Sequence, residues 1–186
     1  IDLPLVQQSL NNAIQYFAAE AKDLLHDEIM GSPDHAPGSP VEVVFLVWWK
    51  MESARRALSY DPLELDLIPQ RETEAGKGKS YRLDFVVGLE DPDECLECSE
   101  RGIRFPDIAV EIDGHEWHER TKEQVDSRNQ RDRALQYVGW KVFHFSGSEV
   151  VRRPLECVIE VMDFAGTALC LMRRQLRALR RLPKVA

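Results

Sequence analysis

Residues 107–113 (DIAVEID) form a short segment that is apolar between its acidic ends. Such a segment is typical of a strand buried on both faces, which requires helices on each side of its sheet. Strand patterns also occur at 63–69, where a proline is expected to end the strand, at 81–89 and at 140–145. A charged helical segment, 117–137, precedes the last of these. We predict an α/β fold with a central mixed four-stranded sheet, in which three strands form a meander and a helix crosses over to the fourth.

Further helices are expected before and after this core. Ser39 at a cap position, then Pro40, and Glu42 three residues after the cap predict a helix that ends near residue 58. Apolar residues recur at helical spacing near the N-terminus, followed by a segment rich in Gly, Pro and Ser. The predicted organisation is an N-terminal helical extension at 1–30, a linker at 31–38, a core domain at 39–150 with an acidic insert at 90–106, and a C-terminal basic amphipathic helix at 151–186.

The composition limits the classes of protein to which the chain can belong. Its 186 residues are 44% hydrophobic and 30% charged, which is typical of a soluble globular protein. No apolar run approaches the roughly 20 residues that a membrane-spanning helix needs. The chain begins without Met and without a signal-peptide pattern, so we expect a mature or excised chain. Its four cysteines are few and scattered, which favours a reducing, cytoplasmic setting.

Three carboxylates interrupt the apolar strand patterns. Asp84 lies between two apolar residues, and Glu111 and Asp113 share one face of their strand because alternate residues of a strand point the same way. If the two strands pair, the three acids converge, and their repulsion favours a bound cation such as Mg²⁺ or Mn²⁺. Such a cation polarises a phosphoryl oxygen and activates water, so the pattern predicts phosphodiester hydrolysis. The alternative is that acids at strand ends are solvated or cap a turn.

Four groups of residues follow one another in a specific order: SPVEVVF (39–45), PQ with YRLDFVV (69–70 and 81–87), VEIDGHEWH (110–118), and D-x-R with RALQYVGWKVFHF (126–145). Together they resemble the very-short-patch-repair-like branch of the PD-(D/E)XK nuclease superfamily, close to the group labelled domain of unknown function 559. The resemblance spans residues 39–150. It implies a restriction-endonuclease-like three-layer sandwich, to which this chain adds N- and C-terminal helices.

The resemblance implies that Asp84 and Glu111 are paired metal ligands. It also implies that Asp113 stands where better-known members carry a lysine that orients or activates the attacking water. Either Asp113 binds the metal, with positive charge supplied from elsewhere, or the activity is altered or lost. Lys122 is a candidate substitute, four residues after His118 on one helix face, although an exposed lysine on a charged helix is usually solvated.

Three more residues are candidates for this site. His118 matches a histidine that follows the acidic strand in the resembling group, where it could act as general acid or base or as a ligand. Its structural alternative is a helix-start histidine bonded to a carbonyl or a carboxylate. Glu42 either completes the cap of its helix or also brings an acid toward the metal. Gln70 either lines the cleft as a nucleic-acid contact or ends a strand.

Cys95 and Cys98 form a C-x-x-C pair in the acidic insert. Zinc requires about four ligands, and no second pair follows at zinc-ribbon spacing. A structural zinc site would therefore need distant ligands, and a zinc-stabilised interaction module is a third hypothesis that rests on this pair alone.

The C-terminal helix is expected from about residue 149, with Pro154 near its start and an apolar seam at heptad spacing. The seam either packs within the domain or forms a homodimer or partner interface. Although the net charge is −8, residues 173–184 hold six bases and no acid. Arg173, Arg177 and Arg180 are therefore candidate phosphate contacts, with a solvated basic face as the alternative.

Two functions follow from these patterns. The first is a Mg²⁺- or Mn²⁺-dependent endonuclease or nickase acting on DNA, with RNA also open. The second is a nucleic-acid-binding or assembly domain on the same fold with weakened chemistry. A role in bacterial defence or DNA repair is an expectation by analogy with other proteins of this fold.

Overall fold

The computed structural model describes residues 37–58, 65–74, 79–89, 98, 100–113 and 122–181. Its elements are α1 (Pro40–Ala57), β1 (Leu65–Glu74), β2 (Ser80–Leu89), β3 (Ile108–Asp113), α2 (Lys122–Tyr137), β4 (Lys141–Ser146), α3 (Gly147–Arg152) and α4 (Pro154–Arg180). The predicted N-terminal extension, most of the linker, half of the acidic insert and the first residues of the predicted 117–137 helix lie outside the described residues.

The four strands form one mixed sheet in the order β1-β2-β3-β4. β2 is antiparallel to both of its neighbours, and β4 is parallel to β3. The parallel pair is joined through α2, since two parallel neighbours need a crossover connection. The predicted α/β class, the three-stranded meander and the crossover helix are therefore confirmed.

Helices cover both faces of this sheet. On one face, the Phe45 ring of α1 lies 5.6 Å from Phe85 and 5.9 Å from Phe145, measured between ring centroids. On the other face, Leu135 of α2 packs with Ala109 of β3. Residues 108–112 of β3 are all buried, as the apolar pattern predicted. This arrangement is compatible with a three-layer sandwich.

Strand β1 does not end at the proline as predicted. It continues through Pro69 to Glu74, and Pro69 is the register partner of Phe85. β1 is the edge strand of the sheet, so a residue without an N–H group can lie there without removing a bond to a further strand. Gln70 follows with a φ of 52°, which is unusual for a residue other than glycine.

The C-terminal helical segment is broken into two helices. Arg153 separates them, with φ −143° and ψ 60°. The following Pro154 disfavours the helical conformation at the preceding residue, which explains the position of the break. The sequence placed Pro154 near the start of one helix, whereas it begins a second one.

The apolar seam of α4 is buried within the single chain. Its buried members are Val158, Met162, Ala165, Leu169, Met172 and Leu176. α4 contacts α1 and α3. The packing alternative is therefore the one observed for the seam, and a dimer interface built on these residues gains no support.

Candidate functional site

Asp84 and Glu111 lie where β2 and β3 stop pairing. The ladder of paired residues ends at Phe85 and Val110, and Asp84 and Glu111 come next in the same register. Beyond that point, Asp84 Oδ2 accepts a hydrogen bond of 2.8 Å from the backbone N–H of Ile112. A side-chain oxygen thus accepts the hydrogen bond that a backbone carbonyl of the neighbouring strand would otherwise accept. This bond fixes Asp84 beside the acidic end of β3.

Two arginines of α2 pair with the acids of β3. Arg131 Nη2 lies 2.5 Å from Glu111 Oε2, and Arg128 Nη1 lies 2.8 Å from Asp113 Oδ2. Residues three apart on a helix are neighbours on its surface, and so are residues two apart on one face of a strand. The spacing of the two arginines therefore matches that of the two acids. Helix α2 supplies the positive charge on this face of the sheet.

His144 and Asp132 extend the cluster. His144 of β4 is the register partner of Glu111, and its Nε2 lies 3.1 Å from Asp132 Oδ2. Its Nδ1 lies 4.0 Å from Asp113 Oδ2. Burial lowers the pKa of His144, and the negative charge of Asp132 counteracts this effect.

Burial makes both paired acids weaker than usual. It raises the pKa of Asp84 from 3.8 to about 6, against the hydrogen bond from Ile112, with Glu42 as a further repulsive charge. It raises the pKa of Glu111 from 4.5 to about 7, and the charge of Asp84 adds to this effect while Arg131 opposes it. The two carboxyl groups are close enough to repel each other, as acids do when they share a site.

The Glu111–Arg131 pair also carries two unsatisfied buried atoms. Glu111 is 5% exposed, and neither its Oε1 nor Arg131 Nε has a hydrogen-bond partner among the described residues. Buried polar groups are normally paired, and an unpaired one calls for an explanation such as a catalytic role or a bound water or ion. The pair therefore presents one acceptor and one donor that a ligand could use.

The described ranges contain no group of three or more His, Cys, Asp or Glu side chains placed to hold one metal ion. Asp113, the expected third ligand, pairs with Arg128. The remaining pair, Asp84 and Glu111, still fits Mg²⁺, which is commonly bound through one or two carboxylates and keeps several waters. The unsatisfied Glu111 Oε1 is the atom that supports this fit.

Glu42 connects the start of α1 to the edge strand. Its Oε2 accepts hydrogen bonds of 2.7 Å from Gly38 N and from Gln70 Nε2. Ser39 Oγ accepts the Glu42 N–H at 3.3 Å, which confirms the predicted cap, but the returning bond reaches Gly38 instead of Ser39. Glu42 thus has a structural role and also lies near enough to Asp84 to raise its pKa. Gln70 lies between the β1–β2 partners Pro69–Phe85 and Arg71–Leu83, and its side-chain amide donates one N–H group within the protein.

The other candidate residues do not join this cluster or cannot be placed. Lys122 begins α2, but its side chain, His118 and Cys95 lie outside the described residues. Cys98 is buried and forms no disulfide. On α4, Arg177 and Arg180 are exposed and Arg173 is half-buried. These three arginines stay predictions as phosphate contacts.

Sequence reasoning missed Arg131, Asp132 and His144 as members of the site. The mixed charges of α2 resembled a solvated, ion-paired surface. A usable signal was present, since Arg128, Arg131 and Asp132 share one helix face with the buried Leu135. Because Leu135 is fully buried, the side of α2 that carries it packs against the sheet.

Among the described helices, none is long and apolar enough to cross a membrane. No family profile, curated protein or solved structure matches this chain.

Proposed function

We propose that this protein is a metal-dependent nuclease that hydrolyses phosphodiester bonds of DNA on a restriction-endonuclease-like fold. The observation that carries the proposal is the pair Asp84 and Glu111 at the end of the β2–β3 ladder, with raised pKa values and one unsatisfied carboxylate oxygen. Buried acids with strongly perturbed pKa values are concentrated at functional sites. The resemblance to the PD-(D/E)XK superfamily assigns the same two residues.

In this proposal Asp84 and Glu111 hold a divalent cation, Mg²⁺ or Mn²⁺. When bound, the cation polarises the phosphoryl group and makes a bound water a better nucleophile. The Ile112 N–H group orients Asp84 Oδ2, and in the free protein Arg131 contacts Glu111 through Oε2. Asp113 pairs with Arg128 and contributes negative charge near the site, but in this proposal it is not a third metal ligand.

The exposed arginines of α4 complete the proposal. Arg177 and Arg180 would contact the phosphate backbone, which would make binding strongly dependent on salt. This function would require a cytoplasmic setting, where DNA and free Mg²⁺ are both present.

A second candidate is a nucleic-acid-binding or assembly domain with weakened chemistry. The observation that favours it is that Glu111 and Asp113 are both ion-paired with arginines, which compete with a cation for the same oxygens. In that case the α2 arginines serve the stability of the fold.

Incubation with supercoiled plasmid, single-stranded DNA and RNA, each with Mg²⁺ or Mn²⁺, tests the proposal. The variants are Asp84→Asn and Glu111→Gln, which remove charge and retain shape. The matched control is Glu72→Gln, since Glu72 is an exposed acid of β1. We expect metal-dependent cleavage by the wild type and the control, and its loss in both site variants. Cleavage that survives in both site variants contradicts the assignment, and binding without cleavage by the wild type favours the second candidate.

A further inference from the structure

The ion pair of Arg131 and Glu111 leaves one hydrogen-bond donor and one acceptor unpaired. Arg131 Nε is a buried donor, and Glu111 Oε1 is a buried acceptor, and neither has a partner among the described residues. They belong to two side chains that are already joined at 2.5 Å through Arg131 Nη2 and Glu111 Oε2, so one ion pair carries both the unpaired donor and the unpaired acceptor. The donor requires a negative or polar oxygen, and the acceptor requires a cation or a further donor.

A single type of ligand meets both demands. A phosphodiester that arrives with a divalent cation brings the cation to Glu111 and a non-bridging phosphate oxygen to Arg131. A guanidinium group suits this task because it stays charged and presents several N–H groups in a planar arrangement. Arg131 is partly exposed, with 26% of its side chain open to solvent, whereas Glu111 is closed. The arginine can therefore move toward a ligand while the acid stays in place.

We propose that Arg131 is a catalytic residue that binds the scissile phosphate, an inference that rests on the proposed nuclease function. In the free protein its guanidinium group neutralises Glu111. With substrate, the group moves from Glu111 Oε2 to a non-bridging oxygen and stabilises the negative charge that develops there. The water oxygen forms the new bond to phosphorus and gives up a proton to solvent, while the bond to the leaving oxygen breaks and that oxygen takes a proton from solvent. Arg131 remains protonated throughout.

Arg128 is a weaker candidate for this role. Its guanidinium group contacts Asp113 at 2.8 Å and lies 3.9 Å from Asp132, so it is held between two acids. It pairs with the acid that lies outside the Asp84–Glu111 pair. We infer that Arg128 positions Asp113 and that the phosphate contact belongs to Arg131.

The test compares Arg131→Ala, Arg131→Gln and Arg131→Lys with the control Arg133→Ala, an exposed arginine of the same helix. The first readout is the rate of plasmid nicking at saturating Mg²⁺. The second is the affinity for Mn²⁺ without DNA, measured by titration calorimetry at pH 8.5 to keep the acids ionised. We expect Arg131→Ala and Arg131→Gln to nick about 100-fold more slowly or worse. We expect both to bind Mn²⁺ as tightly as the wild type or more tightly, because a competing cation is gone.

The lysine variant and the control separate catalysis from folding. Arg131→Lys should regain at least about tenfold of the lost rate because it restores charge, whereas Arg133→Ala should stay within about twofold of the wild type. Arg131→Gln keeps a longer, polar side chain than alanine and so tests the proposal if the alanine variant does not fold.

Three results would overturn the inference. If Arg131→Gln nicks DNA at the wild-type rate, Arg131 does not bind the scissile phosphate. If the nicking rate falls only in proportion to the affinity for Mn²⁺, Arg131 has a structural role. In both cases, loss of nicking in Asp84→Asn leaves the nuclease function standing. A wild type that does not nick removes the nuclease function and the inference with it.

Discussion

Replacement of Asp84 by Asn should stabilise the protein, and increasingly so as the pH rises. The side chain of Asp84 is half-buried, and its pKa is raised from 3.8 to about 6. The folded state therefore holds a proton that the unfolded chain has already lost between these values, and folding becomes less favourable as the pH rises through this window. Asn retains an oxygen for the Ile112 N–H group and carries no charge at any pH.

The size of the effect follows from the two pKa values. Because a tenfold change in a dissociation constant is worth about 1.4 kcal/mol, the ionised Asp84 costs the folded state about 3 kcal/mol above pH 7. At pH 5 the cost is about half as large, because most of the folded population is protonated there. We therefore expect Asp84→Asn to raise the free energy of unfolding by about 2–3 kcal/mol at pH 8 and by about 1–2 kcal/mol at pH 5.

Urea unfolding in EDTA at pH 5, 6 and 8 measures this difference. Asp66→Asn is the matched control, since Asp66 Oδ1 also accepts a backbone N–H, that of Leu67, at 2.8 Å but lies on β1 outside the acidic cluster. Addition of Mg²⁺ should stabilise the wild type and not Asp84→Asn. If Asp84→Asn is destabilised to the same extent at pH 5 and pH 8, the reasoning is refuted and the role of Asp84 is to bond Ile112.

Two further predictions concern a buried ion pair of α1 and the strained residue of β1. Glu52→Gln should cost about 2 kcal/mol at pH 7, because Arg55 and Arg56 lower the pKa of this buried acid to about 2. That stability is present above pH 4.5 and is lost as the pH falls toward 2, so an equal cost at pH 3 and pH 7 in denaturant titrations would contradict it. Gln70→Gly should be about 1 kcal/mol more stable than Gln70→Ala, because both lose the bond to Glu42 and only glycine accepts a φ of 52° without strain. Thermal unfolding of the two variants checks the order, and an alanine variant that equals the glycine variant would contradict it.

The sheet could be predicted because its signals are local. An apolar segment such as 108–112 has few structural solutions, and the charged segment before β4 leaves a crossover as the natural connection. The end of β1 could not be predicted in the same way. Whether Pro69 ends a strand depends on which strand lies at the sheet edge, and that is a property of the assembled sheet.

The candidate site was predictable only on the strand side. Asp84 and Glu111 stand out because a carboxylate in an apolar strand is unusual, whereas an arginine in a charged helix is not. The pairing of Arg131 with Glu111 depends on the rotation of α2 about its axis. The buried Leu135 sets that rotation, and it contributes a single apolar position that a pattern search passes over.

The balance of charge in the cluster bears on the order in which ligands bind. Its ionisable members other than the histidine are Glu42, Asp84, Glu111, Asp113, Asp132, Arg128 and Arg131. When all are ionised, five carboxylates face two guanidinium groups, so a bare phosphate meets an excess of negative charge. A divalent cation at the Asp84–Glu111 pair would remove most of that excess, and on our proposal it would also release Arg131 from Glu111. In the proposed function, the ion pairs that weaken the site for metal alone would make metal and phosphate depend on each other, and an acidic protein would bind an anionic substrate at this place together with a cation.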